Sequence, residues 1–377
     1  MHRKVNFDDI RPYYDHEILS AMKRIAKSEH LPAIADFVFP NRKIKDVQKL
    51  LRSFTSINDF QLGVMYAFNK QVIKKTTNSF TCSGFEHLNH KKNYLFVSNH
   101  RDIVLDSSLL QFSLFCEGFR STEITFGSNL MISQLAVDIG RSNKMFKVIR
   151  EGSAREFYTN SLRLSEYIRH TLTQKNESVW IAQRNGRTKD GNDITDQGII
   201  RMFCMSNQQD LIKSIEELNI VPVSVSYQWE PCDIFKVKEL YQSKDGEKYI
   251  KEKNEDLISI LTGITQQKGN VHIEICKPLQ KNEYINFVNE SPNKFYKNIA
   301  QLIDNKIHQK YKLWNTNYIA DDIRTGNNNH IDNYTAEEKE LFLQRFNQIL
   351  NQIDGDKDTI SSIYLGIYAN PVGYKRK

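Results

Sequence analysis

A histidine, an arginine and two aspartates crowd into one short stretch of this chain. They are His100, Arg101, Asp102 and Asp106, within YLFVSNHRDIVLDSSLL, residues 94–110. An imidazole with a carboxylate at hydrogen-bonding distance is held in one tautomer and becomes a better general base. The stretch therefore has the parts for taking a proton from a hydroxyl. Something must hold those parts. Tyr94-Leu95-Phe96-Val97 reads as a buried strand, a short apolar run with polar residues at its end. Leu105 to Leu110 reads as a helix entry that Asp106 or Ser107 can cap. A strand-to-helix turn of this kind is where open α/β sheets carry their chemistry.

The rest of the chain supplies a frame for such a turn. Residues 8 to about 76 have helical rhythm, with Ile18, Leu19, Met22, Ile25 and Ala26 on one face. From about Phe80 the pattern alternates. Strands are expected at Tyr94–Val97, Glu123–Phe126, Val148–Ile149, Val179–Ala182, Ile220–Tyr227 and Val271–Ile275, with helical stretches between them. Beyond about residue 281 the chain is helical again, with a loop at 324–333. The expected fold is α/β, a mixed, mostly parallel sheet flanked by helices, behind an N-terminal helical domain. The expected division is 1–79 helical, 80–323 α/β and 324–377 a C-terminal helical extension.

Composition removes several classes of function. The chain has 377 residues, 40% of them hydrophobic and 26% charged, which is globular. No apolar run approaches the roughly 18 residues of a membrane span. The first residues lack the apolar core of a signal peptide, so a cytoplasmic chain is expected. Five scattered cysteines form no CxxC pair and suggest neither a disulfide framework nor a thiolate metal site. His87 and His90 lack a partner carboxylate or thiol at ligand spacing and read as a polar loop. With no GxGxxG, no Gly-rich lysine loop and no Gly-x-Ser-x-Gly elbow, neither a nucleotide cofactor nor a serine hydrolase is expected. The net charge of +7 is uneven, and basic patches attract phosphates. No basic stretch is interleaved with aromatics in the manner of a nucleic-acid motif, so a nucleic-acid partner is not expected.

Four segments in order resemble the glycerophospholipid acyltransferases, the family of glycerol-3-phosphate and lysophosphatidate acyltransferases. Asn99-His100 followed by Asp106 resembles the family's histidine-and-aspartate motif, with five residues between His and Asp where the family has four. Asp106 fits the aspartate best and Asp102 is the fallback. FGSNLMISQLAVDIGRSNKMFKVIREGS (126–153) looks like the second block, with Gly140 and Arg150 in the glycine and arginine places. VWIAQRNGRTKDG (179–191) is similar to a third block that reads Glu-Gly-x-Arg-Ser in relatives. Arg187 and Thr188 match Arg-Ser, but Arg184, or Asn185 if the frame slips by one, stands where the Glu belongs. NIVPVSVSYQWEP (219–231) resembles the fourth block. The likeness spans roughly residues 80 to 280.

What the resemblance implies is acyl transfer from acyl-CoA or acyl carrier protein to a hydroxyl of a phosphorylated glycerol or lysophospholipid. His100 would be the general base and Asp106 its orienting carboxylate. Arg150 and Arg187 would hold the acceptor phosphate, since a guanidinium offers paired hydrogen bonds that an ammonium does not. Thr188, Arg101 and Lys144 are further substrate-binding candidates, and Arg141 a weaker one. Asp190 and Asp193 follow closely and are candidates to replace the missing Glu. No cofactor and no metal are implied. The lipid product implies peripheral association with the inner face of the cell membrane. A different acceptor, such as an amino-acid or amine lipid, and a silent lipid-binding protein of the same fold are the alternatives.

Overall fold

The computed structural model describes residues 6–149, 152–244, 246, 249–252 and 254–375. Among these, seven strands form one sheet: β1 (Thr77–Ser83), β2 (Leu95–Ser98), β3 (Glu123–Gly127), β4 (Met145–Val148), β5 (Val179–Ala182), β6 (Ile220–Tyr227) and β7 (Gly269–Ile275). Their order is β1-β7-β6-β2-β5-β3-β4. From β6 through β2, β5 and β3 to β4, every neighbour is parallel. β7 runs antiparallel to β6, and β1 runs parallel to β7. The fold is α/β, with a mixed, mostly parallel sheet flanked by helices.

β2 lies inside the sheet, between β5 and β6, with Ser98 opposite Ala182 and Val223. Leu95 and Val97 face a core built with the helices Ala154–Thr173, Gln197–Cys204 and Pro292–Lys310. Phe96 faces the other core, which the helix Leu105–Cys116 completes. A strand covered on both sides needs an unbroken apolar run, and Leu-Phe-Val supplies it. Because these strands are parallel, the segments that follow β2, β3, β4, β5 and β6 all emerge at one edge of the sheet.

Two elements lay outside the expected pattern. β1 reads TNSFTCS, and its polar alternation suits an edge strand with one wet side. The helix Glu255–Thr265 carries Leu257, Ile258 and Leu261 on an outward face, while Ile264 packs against the core that holds Phe96. β4 also begins earlier than Val148–Ile149, because Met145 and Phe146 are its buried residues.

The N-terminal helices Asp15–Ile25, Leu31–Val38, Ile44–Arg52 and Tyr66–Thr76 enclose a core of their own, which includes Ile18, Met22, Val47, Leu51 and Phe60. The helix Gln134–Ser142 joins that core to the sheet. Its fully buried Asp138 takes two bonds from Arg24, of 2.8 and 2.7 Å, and one of 2.8 Å from the Tyr13 hydroxyl. The helices Asn315–Thr325, Ala336–Gln352 and Lys357–Ala369 pack together against Val237 of the helix Asp233–Gln242. Residues 79 and 80 both belong to β1, and residue 324 belongs to the helix Asn315–Thr325. Among the described residues, no helix is long and apolar enough to cross a membrane.

Candidate functional site

The turn after β2 is fastened before it carries any chemistry. Asn99 is fully buried. Its side-chain amide donates to the Val225 carbonyl at 2.9 Å, and its oxygen accepts from the Val225 amide at 2.7 Å. That pair of bonds ties the end of β2 to β6 and points the next residue out of the sheet edge.

His100 then meets Asp106 in the first turn of the helix Leu105–Cys116. The imidazole Nδ1 lies 2.9 Å from Asp106 Oδ2. With Asp106 ionised, Nδ1 carries the proton and the Nε2 lone pair is left for a substrate. Nε2 has no hydrogen-bond partner among the described residues, and the side chain is 14% exposed. The Trp180 ring packs edge-on against it at 5.9 Å. The extra residue between His and Asp is absorbed by the backbone. The amides of Arg101 and Asp102 fold onto Asp106 Oδ2 at 2.7 and 2.9 Å. Asp102 is not the partner of the imidazole. Its Oδ1 caps the helix by accepting from the amides of Val104 and Leu105 at 2.9 and 2.8 Å. Tyr227, at the end of β6, donates its hydroxyl to Asp106 Oδ1 at 2.8 Å. Burial, and after it the Asp106 charge, holds the Tyr227 phenol well above its ordinary pKa, so it remains a donor.

Arg101 does not face a substrate, contrary to the expectation. Its side chain is almost fully enclosed, and its donors are committed. Nη2 binds Asp193 Oδ2 at 2.7 Å, Nε binds Asp193 Oδ1 at 3.1 Å and Nη1 binds Glu230 Oε2 at 3.1 Å. Lys236 completes the network, donating to Glu230 Oε1 at 2.5 Å and to the Arg101 carbonyl at 2.8 Å. Burial opposes the Arg101 charge, but Asp193 and then Glu230 outweigh it and hold the guanidinium well above its usual pKa. Burial dominates at Lys236 and draws its ammonium below the ordinary lysine value. Two cations and two carboxylates inside the protein thus neutralise one another under the turn after β2. Asp193 is consumed here, with a further bond of 2.9 Å from Asn99. Asp190 accepts from the Asn192 amide and side chain at 3.0 and 3.1 Å. Asp193 is therefore not open to replace the missing Glu, while Asp190 is half-exposed and its carboxylate bonds only to Asn192 among the described residues.

The loop after β5 brings Arg187 and Thr188 beside His100. The Thr188 amide donates to the His100 carbonyl at 2.7 Å, and its buried hydroxyl has no partner. Arg187 is half-buried, with an enclosed Nη1 that also has no partner. It lies close enough to Lys236 for its charge to weigh against that ammonium. The guanidinium lies by the buried Cys232 and Lys236, so the unpartnered group that the loop brings nearest the His100 backbone is the Thr188 hydroxyl. Arg150 lies outside the described residues.

Lys144 is at the wrong end of the sheet. It precedes β4, and the parallel strands place it on the edge opposite His100, bonded to Glu177 at 2.8 Å. Arg141 sits on that side too, donating to the carbonyls of Arg11 and Asp8 at 2.9 and 2.8 Å. His90 stacks flat on Phe119 with ring centroids 3.8 Å apart. Among the described residues, no group of three or more His, Cys, Asp or Glu side chains is gathered as if for a metal ion.

A groove of about 420 Å³ opens by the ends of β4 and β5 and the helices Ala154–Thr173 and Gln197–Cys204, and His100, Asp106, Arg187 and Thr188 are not among its lining residues. Val148, Phe157, Ile181 and Met202 line it, and Arg184 and Asn185 stand at its rim. Tyr227, Glu230 and Lys236 were not legible as site residues. Tyr227 ends a strand whose other residues are core, and partners in a buried ion network share no local spacing.

No family model matches this sequence, and no curated protein is significantly similar to it. Among solved structures the chain is similar to the crystal structure of the 1-acyl-sn-glycerophosphate (LPA) acyltransferase, PlsC, from Thermotoga maritima. The identity is 12%, over 78% of this chain and 94% of that one, with a TM-score of 0.38. Similarity that low fixes no activity, so the geometry has to carry the functional reading.

Proposed function

We propose that the chain is an acyltransferase that moves a fatty acyl group from acyl-CoA or acyl carrier protein to a hydroxyl of glycerol-3-phosphate or lysophosphatidate. The observation that carries this reading is the His100–Asp106 contact of 2.9 Å, with Nε2 unbonded and the Arg187–Thr188 loop alongside. His100 Nε2 takes the proton of the acceptor hydroxyl as its oxygen attacks the thioester carbonyl. Asp106 steadies the imidazolium that forms. The tetrahedral adduct then collapses, the carbon–sulfur bond breaks, and the imidazolium returns the proton to the departing thiolate. A thioester is already activated, so no acyl-enzyme is needed. Arg150 and Arg187 bind the acceptor phosphate, and Thr188 adds a hydroxyl. The acyl chain lies in the apolar groove, where each buried methylene contributes about 0.8 kcal/mol. The site is cytoplasmic and works at the inner face of the cell membrane.

One observation favours a second reading. The block that resembles the family's Glu-Gly-x-Arg-Ser carries Arg184 in the glutamate place, and Asp193 is buried in the Arg101 network. An acceptor lacking phosphate, such as an amino-acid or amine lipid, is the alternative. Mass spectrometry of products formed from acyl-CoA, with glycerol-3-phosphate, lysophosphatidate and an amine lipid as rival acceptors, separates the two. In the same assay His100→Ala is expected to lose roughly 10²–10⁴ in rate. A variant that acylates as fast as the wild type would remove the imidazole from the chemistry.

A further inference from the structure

The loop that follows β5 carries Arg187 and Thr188 and has no regular structure. Between β5 and the helix Gln197–Cys204 the chain is neither strand nor helix, yet Thr188 and Asp193 within it are fully buried. A buried loop needs partners for its backbone groups, and no strand ladder runs through this one to supply them. Near its start the Thr188 amide finds the His100 carbonyl. Its second half is held from a distant part of the chain.

The segment Asn370–Lys375, which follows the helix Lys357–Ala369, provides the partners. The Tyr374 hydroxyl accepts from the Asp193 amide at 2.7 Å and donates to the Gly191 carbonyl at 2.6 Å. The Asn370 side-chain amide donates to the Asp190 carbonyl at 2.7 Å. Gly191 is what lets the two segments meet so closely. Its φ is +80°, and a Cβ there would lie 2.3 Å from the Ile367 carbonyl oxygen.

The phenol is itself fixed. Its ring stacks on the His308 imidazole, with centroids 3.8 Å apart and planes 5° from parallel, and meets Tyr311 edge-on at 5.6 Å. A carbonyl can only accept, so His308 Nε2 donates to the Asp193 carbonyl at 2.6 Å. Both the amide and the carbonyl of Asp193 are thus held by one stacked pair of rings. The carboxylate of the same residue binds Asn99 and Arg101 under the turn after β2. Tyr374 therefore fixes the main chain at the point where the Arg187–Thr188 loop and the His100 turn are joined.

We infer that Tyr374 is a positioning residue, whose hydroxyl holds residues 187–193 in the shape that lets Arg187 and Thr188 grip the acceptor. The inference rests on the acyl-transfer reading of those two side chains and adds to it a residue that acts only through the loop. His100 and Asp106 have fastenings of their own, at Asn99 and Tyr227. Loss of the Tyr374 hydroxyl should therefore weaken acceptor binding and spare the proton transfer.

Tyr374→Phe removes the hydroxyl and keeps a ring between His308 and Tyr311. Its KM for glycerol-3-phosphate is expected to rise about tenfold, with kcat within about twofold of the wild type. Hydrogen exchange read by mass spectrometry, on the full chain without substrate, gives a second readout. Residues 187–193 should exchange about tenfold faster, while residues 95–106 keep their wild-type rate. Asn370→Ala should move both readouts the same way by severalfold. Ile360→Val is the control, in the core of the same helix and about two turns before Ile367. It is expected to lower the melting temperature and leave KM and loop exchange unchanged. Unaltered KM or unaltered loop exchange in Tyr374→Phe overturns the inference while leaving acyl transfer standing. So does a change that Ile360→Val reproduces, for the hydroxyl would then serve stability alone. Faster exchange confined to the loop, in a protein that acylates no acceptor, upholds the clamp and removes the transferase reading.

Discussion

Four hydrogen bonds end on the Asp106 carboxylate, and only one comes from the imidazole. Two come from backbone amides and one from Tyr227, so the carboxylate organises the turn as well as the base. An asparagine could keep that geometry. Its oxygen would take the two amides and the imidazole, and its NH2 would face the Tyr227 oxygen, which can accept. The negative charge would be gone, and with it the stabilisation of the imidazolium. Asp106→Asn is therefore expected to lose about 10²–10⁴ in kcat while its thermal unfolding stays close to that of the wild type. Rates and melting curves on the same preparations check this, and a large fall in melting temperature would mean that the charge serves stability first. His100 and Asp106 were legible because a strand, a turn and a helix cap leave a linear trace. Arg101 was misread for the opposite reason: nothing in the sequence reveals that Asp193 and Glu230 close around it from distant loops.

At the scale of elements, the helix Glu255–Thr265 and the turn after β2 are in contact at a point with no slack. A Cβ on Gly263 would lie 2.1 Å from Asp102 Oδ2. The carboxylate cannot swing away freely, because its other oxygen caps the next helix through Val104 and Leu105. Gly263→Ala should therefore force either the helix outward or the turn inward. It is expected to cost about 1–3 kcal/mol of stability and to lower kcat together with it, as measured by denaturant unfolding and steady-state rates. An alanine variant with unchanged stability and activity would show that the contact is loose in solution. This helix escaped sequence reading because Leu257, Ile258 and Leu261 face outward while Ser259 and Gly263 are its buried residues, so its apolar pattern does not mark its inner face. β1 escaped because an edge strand with a wet face needs few apolar residues. β2, β5 and β6, covered on both faces, were the most readable elements.

Across the whole molecule, one buried cation gives unfolding a pH dependence of known sign. Lys268 is fully enclosed, and burial pushes its ammonium down to about 8, with Asp102 only partly offsetting the loss of solvent. Its neighbours are the Thr76 hydroxyl at 3.0 Å and the Gln266 carbonyl at 2.7 Å. Below pH 8 both the folded and unfolded chains hold the proton, and the folded chain bears the full cost of the buried charge. Between about 8 and the ordinary 10.5 the folded chain releases it first, so this group's contribution to stability rises with pH. The melting temperature of Lys268→Met relative to the wild type is thus expected to fall steadily across that window. A flat difference would mean that the lysine stays charged in the folded protein. The alternation of strands and helices made the sheet legible in outline. The strand order, and the reversal at β7, were not, since pairing between distant segments leaves no local mark. That reversal shapes the architecture above the site. A parallel β7 would oblige the chain leaving β6 to cross back along a face before entering it. Running the other way, β7 starts at the end where β6 stops, so no crossover is needed, and the helix Glu255–Thr265 is left to lie as a roof over the Asp102 turn.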